Sequence, residues 1–257
     1  MFPLKDNIPT DRTAFVTIAL IAINVIVYFV LQRGGILDGP SDSGVVHYGA
    51  IPYELTHPGK GCAISAQELL CEGQPGVDVT APDQPAAWLT VFSAMFMHGS
   101  ILHLGGNMLF LWIFGNNVED SMGPVKFILF YLLGGVAALA GQVVIEPNAA
   151  VPTIGASGAV AAVLGGYILL YPRARVVTLI LIVFFFTIVE LPAMLILGFW
   201  FLQQVAFGYF DLANPAGGGG GVAYFAHIGG FLFGLLLIKL FASRTKDYSP
   251  PPKYPVY

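Results

Sequence analysis

Apolar stretches about as long as a bilayer is thick recur along this chain between Thr13 and Phe241, and that recurrence restricts its fold more than any other feature. A hydrocarbon core roughly 30 Å thick takes about 20 apolar residues per helical crossing. The expected class is therefore an all-α polytopic membrane protein. Composition agrees: 56% of the 257 residues are hydrophobic and 10% are charged, whereas a soluble domain carries about 25% charged residues. An ordinary cytosolic protein is excluded. The net charge of −4, without a basic cluster, gives no reason to expect a nucleic-acid partner. Two cysteines, with no Cys-x-x-Cys and no His-Glu-x-x-His, argue against a metal site, and no cofactor is expected.

Six helices account for the pattern. Residues 1–12 form a cytoplasmic N-terminus, and residues 13–32 an uncleaved first helix, too long for a signal-peptide core. Residues 33–99 form an external loop; its stretch up to Ala86 is rich in Gly and Pro and carries seven acidic residues, too polar to cross. Residues 100–241 hold the remaining helices: Ser100–Asn116, ending before Glu119 and Asp120; Pro124–Ile145, with Pro124 in the first turn where its missing N–H costs nothing; Ser157 to Tyr171-Pro172; Leu191–Gly208; and Tyr224–Phe241. Val176–Val189 is expected as an interfacial or re-entrant approach, with Pro192 as the divider. Gly217–Gly221 reads as a flexible loop, and residues 242–257 as a disordered cytoplasmic tail. Lys and Arg concentrate in cytoplasmic segments. With the N-terminus inside, Lys5, Arg12, Lys126, Arg173, Arg175, Lys239, Arg244, Lys246 and Lys253 are cytoplasmic, and only Arg33 and Lys60 are outside. Both termini are thus placed inside.

Polar groups in a bilayer are expensive, so those that persist are functional candidates. Gly155-Ala156-Ser157-Gly158 presents a hydroxyl at a small-residue turn opening a helix. Its bland alternative is a capping serine with glycines for packing. His227 opens the last helix and is followed by Gly230-x-x-x-Gly234, a spacing that lets a neighbouring helix approach closely. His98 precedes His103 and Asn107, which lie four residues apart and share one helical face. The alternative there is interhelical hydrogen-bonding glue. All three sets fall at the external ends of their helices, which structural polarity alone would not arrange.

With these motifs the chain resembles the rhomboid family of intramembrane serine proteases: His-Gly-x-x-x-His-x-x-x-Asn from His98 to Asn107, Gly-Ala-Ser-Gly from Gly155 to Gly158, and Ala-His-Ile-Gly-Gly-x-x-x-Gly from Ala226 to Gly234. The resemblance covers Trp88 to Phe241 plus the first helix. It implies a six-transmembrane-helix rhomboid-like bundle in which Ser157 is the nucleophile, His227 its general base, and His103 and Asn107 form the oxyanion site. One turn after the nucleophile, where some relatives carry an aromatic that stacks on the histidine, this chain has Ala161.

Neither Glu190 nor Asp211 is placed to complete a triad, since one precedes the fifth helix and the other lies beyond its end. A Ser157–His227 dyad is the economical mechanism. The implied substrates are transmembrane proteins cleaved near their external ends, and the implied site is a bacterial inner (plasma) membrane with the active site opening outward. The fifth helix, with Phe199, Trp200 and Phe201 and no catalytic residue, is a candidate lateral gate, against which stands plain lipid-facing apolarity. Two rivals are a non-catalytic rhomboid-like protein that binds membrane clients, disfavoured by the presence of both Ser157 and His227, and a channel, disfavoured by the scarcity of ionisable residues in the cytoplasmic halves of the helices. Cys62 and Cys71, in the external loop, are expected to form a disulfide, which requires their segment to fold back on itself; two free thiols on a short amphipathic helix are the alternative.

Overall fold

The computed structural model describes residues 2–66, 68–182, 185–214 and 221–244. The chain opens with strand β1 (Phe2–Asp6) and helix α1 (Phe15–Ile26), prolonged by a π-helical turn over Val27–Leu31. The polar stretch then forms α2 (Asp42–Tyr48), α3 (Pro52–Thr56) and a hairpin of β2 (Cys62–Ser65) and β3 (Glu68–Cys71). Helix α4 (Ala87–Ser93) ends in a 3-10 turn and meets α5 (Ile101–Phe110) across a sharp bend; a π-helical turn over Leu111–Gly115 joins α5 to α6 (Asn116–Met122). There follow α7 (Pro124–Ile145), α8 (Ser157–Leu170), strands β4 (Arg175–Ile182) and β5 (Phe185–Pro192), α9 (Ala193–Ala213) and α10 (Tyr224–Phe241).

The molecule is mostly helical, and among the described residues α7, α9 and α10 are long and apolar enough to cross a membrane. The pair Ala87–Phe96 and Ile101–Met122, bent by 79°, counts as a fourth span if taken together; Phe15–Leu31 and α8 are apolar but shorter. Helix α8 is the centre of the bundle. From Gly158 to Tyr167 every residue is buried, as expected of a helix apolar on all sides. Its small residues let α10 approach to backbone contact: a methyl group at Gly234 would sit 1.9 Å from the Ala162 carbonyl oxygen, and one at Gly230 2.1 Å from that of Gly158.

Several expectations are corrected. The helix expected to stop at Asn116 continues to Met122. Glu119 does not end it, because its carboxylate is buried and accepts from the N–H groups of Val16 and Thr17 and from the Thr17 hydroxyl. It thereby caps the start of α1, where unpaired N–H groups welcome negative charge. Asp120 likewise accepts from the Asp11 N–H. The chain is not all-α: Val176–Val189 lies within an antiparallel hairpin, β4 with β5, and β4 pairs on its other edge with β1 to form a three-stranded sheet. Residues 1–12 are therefore more than a tail, since they supply the third strand. Residues 33–99, expected as a loop, carry their own helices and hairpin. Pro192 does divide hairpin from helix, but α9 runs on to Ala213, so Asp211 lies in its last turn and not beyond it. Of the glycine run, Gly217–Gly220 lie outside the described residues, as does the tail from residue 245 onward.

Candidate active site

Ser157 is the first residue of α8. The turn before it depends on Gly155, whose φ of 120° is strained for any side chain, and where a methyl group would meet His103 Nε2 at 2.7 Å. That turn is tied down from behind: Gly155 N–H donates to the Ala94 carbonyl at 2.8 Å, and Ala156 N–H points at His98 Nε2 at 3.5 Å. His98 is held in turn by Gln32 of the first-helix region, whose amide accepts from the His98 N–H at 2.9 Å and donates to its carbonyl at 3.1 Å.

His227 lies in the first turn of α10. Because α10 touches α8 backbone to backbone, the two side chains meet: His227 Nε2 lies 2.8 Å from Ser157 Oγ. The other ring nitrogen, Nδ1, lies 2.8 Å from Oε1 of Gln204 on α9. Among the described residues no carboxylate hydrogen-bonds to either nitrogen. Trp200, one helical turn before Gln204, sets its ring 5.7 Å from that of His227 at an interplanar angle of 37°. Ala161 is buried with no ring to offer, so α9 and not α8 covers the imidazole.

His103 and Asn107 do share a face of α5 and reach the same place. Ser100 caps the helix through the His103 N–H, and the side chains of both residues abut Gly155, two positions before the serine. The Asn107 amide nitrogen is buried and has no hydrogen-bond partner among the described residues. An unpaired buried donor is costly, and this one faces a cavity of about 830 Å³ lined by Ser157, His227, His103, Asn107 and Trp200. Such a volume suits a chain segment or ligand of moderate size. Asp211 and Glu146 also line it.

The four motif residues thus converge, and Cys62 and Cys71 form a disulfide remote from them. They are cross-strand partners in the β2–β3 hairpin with Cα atoms 4.0 Å apart; the fold-back comes at Ala66, with φ 51°. The residue that sequence reasoning overlooks is Gln204. A lone amide inside an apolar span is as conspicuous as Asn107 by the same desolvation argument, but no local pattern says which histidine it meets.

The rhomboid domain family model matches residues 85–244, which contain every one of these motif residues. The chain belongs to the rhomboid family. It is 31% identical over 165 residues to Rhomboid protein 1, mitochondrial, of Saccharomyces cerevisiae, covering 60% of this chain and 42% of that protein. Against Presenilin-associated rhomboid-like protein, mitochondrial, of Mus musculus, identity is 30% over 145 residues, 56% of this chain and 35% of that one. Rhomboid protease GluP of Bacillus subtilis matches at 36% over 78 residues, 30% of this chain and 15% of the relative. The chain thus spans less than half the length of these relatives. Organellar and bacterial proteins stand side by side among them, so this rhomboid is membrane-embedded, and the comparisons do not support a bacterial plasma membrane over an organelle membrane.

Proposed function

We propose that this rhomboid is an intramembrane serine endopeptidase acting on transmembrane protein substrates through a Ser157–His227 dyad. The observation that carries the reading is the 2.8 Å contact between Ser157 Oγ and His227 Nε2. In the first step Ser157 Oγ bonds to the substrate carbonyl carbon while its proton passes to Nε2. The Asn107 amide, unpaired at rest, donates to the developing oxyanion, with His103 beside it. Collapse breaks the C–N bond, and the amine leaves with the proton from His227. Water drawn through the cavity then hydrolyses the acyl-enzyme by the same transfers in reverse.

Six spans embed the site, counting α1 with its π-helical turn, the α5–α6 pair, α7, α8, α9 and α10. The pairing of β1 with β4 supports a common side for Lys5 and Arg175. Lys126 reaches the Phe241 carbonyl and Ser243 at the end of α10, which adds that end to the same positively charged side. The dyad then opens to the opposite side, together with the external segment: Ala50 bridges to Thr153, two residues before Gly155.

Fluorophosphonate labelling and cleavage of a single-span reporter substrate test the reading. The purified wild type labels and cleaves; Ser157→Ala does neither, and His227→Ala loses cleavage almost completely, because nucleophile and base act as a unit. Substantial turnover by Ser157→Ala refutes the assignment, and a wild type that binds clients without labelling favours a non-catalytic role. Cysteine reporters at Arg173 and Gly221 label from opposite sides if the topology is right.

A further inference from the structure

We propose that Gln204 is a positioning residue of the reaction: its side-chain carbonyl accepts the Nδ1 proton of His227 and so leaves Nε2 bare to take the proton of Ser157. This rests on the hydrolase reading above and adds to it a third member from α9, the helix expected to carry none.

Neutral imidazole holds one proton, and it acts as base toward Ser157 only when that proton sits on Nδ1. Which nitrogen carries it is set by what the other side of the ring faces. Here Nδ1 faces Gln204 Oε1 at 2.8 Å. The amide is not free to present its NH2 group instead. Gln204 Nε2 points at the Trp200 carbonyl at 3.4 Å, one turn earlier in α9, and a carbonyl oxygen only accepts. Turning the amide over would set its oxygen against the Trp200 carbonyl, two acceptors with no proton between them, so the oxygen is directed at the ring. Gln204 is 7% exposed, which limits water as a competing partner.

The choice of an amide follows from the setting. A carboxylate here would be an ion in an apolar bundle, costly unless paired. An amide oxygen orients the ring at no charge cost and offers its dipole to the imidazolium formed during the reaction. Helix α9 delivers both the acceptor, from Gln204, and the indole of Trp200, tilted at 37° to the imidazole. Both contacts come from side chains one turn apart, so a displacement of α9 from α10 removes the two together.

The test uses the full chain reconstituted in vesicles, a single-span reporter substrate, and 15N-histidine spectra of His227. Gln204→Leu keeps the bulk and loses the acceptor: kcat falls on the order of tenfold to a hundredfold with KM nearly unchanged. Its 15N spectrum shifts from the Nδ1-protonated tautomer toward a mixture. Gln204→Glu restores an acceptor at the cost of a buried acid, so it lowers the melting temperature yet keeps a higher kcat than the Leu variant. Gln204→Asn, whose oxygen is withdrawn by one methylene, shows the same kcat loss and carries the test if the Leu variant does not fold. Wild-type kcat and an unshifted spectrum in the Leu or Asn variant overturn the proposal, as does a kcat of the folded Glu variant no higher than that of the Leu variant. These results leave the hydrolase reading standing. A wild type that neither labels nor cleaves removes that reading, while the tautomer measurement still reports on Gln204.

Discussion

Helix α10 is held on two sides by opposite means. Toward α8 the contact is made of main chain, with Gly230 and Gly234 pressed against the carbonyls of Gly158 and Ala162. Toward α9 it is made of side chains: Gln204 and Trp200 on His227, and Phe201 stacked on Phe231 at 4.5 Å. The first contact fixes where Ser157 and His227 stand, and the second how the imidazole is turned. Much of α9 also faces outward, with Phe199, Leu202, Tyr209 and Phe210 more than half exposed. Distance is entrusted to the tightly buried interface, and orientation to the one with fewer anchors.

The sharpest way to break this division is Gly234→Val. A side chain there collides with the Ala162 carbonyl, so cleavage should be lost and stability should fall by about 1–3 kcal/mol, the usual cost of overpacking; reporter cleavage and thermal unfolding measure the two. Asn107→Ala touches neither interface. It should slow cleavage on the order of a hundredfold while fluorophosphonate labelling of Ser157 persists, and His103→Ala should act in the same direction. Unchanged rates in both would return this face of α5 to a packing role.

Trp200→Ala tests the side-chain interface alone. Loss of a ring contact worth roughly 0.5–1.5 kcal/mol should cost no more than about tenfold in kcat, far less than Gly234→Val; a complete loss would show that α9 also sets distance. The smallest effect on catalysis belongs to Cys62→Ser with Cys71→Ser. Cleavage should stay within about twofold, whereas the segment around the hairpin, now without its cross-link, should lose roughly 2–3 kcal/mol of local stability, seen as faster proteolysis of residues 33–86. Glu72 in the same segment accepts from the N–H groups of Ala81 and Gly61, which hold its carboxyl below the usual range. Its contribution is present above the unfolded-state value and lost as pH falls through the lowered folded one, so that proteolysis should accelerate in acid.

How far the sequence was legible varies with how local the information is. Pro124 in the first turn, after Gly123 at φ 83°, marks the start of α7 without tertiary help. Val176–Val189 misleads because a continuous apolar run reads alike as buried helix or strand; its Val, Ile, Thr and Phe content favours strand, but the partner that completes the sheet is β1, about 170 residues away. Glu119 looked like a terminator because the N–H groups it satisfies belong to another helix. The convergence of Ser157, His227, His103 and Asn107 was legible because each is bound to a glycine-bearing motif with its own geometric meaning. Gln204 belongs to no such motif.

The close approach of Gly230 and Gly234 to α8 acts as a mechanical stop. Two backbones in van der Waals contact approach no further, and no side chain between them is left to change rotamer. The separation of the two backbones that carry Ser157 and His227 is therefore set by atomic radii. Whatever tunes this site after folding must do so by turning the imidazole, because the backbone gap it bridges has no adjustment.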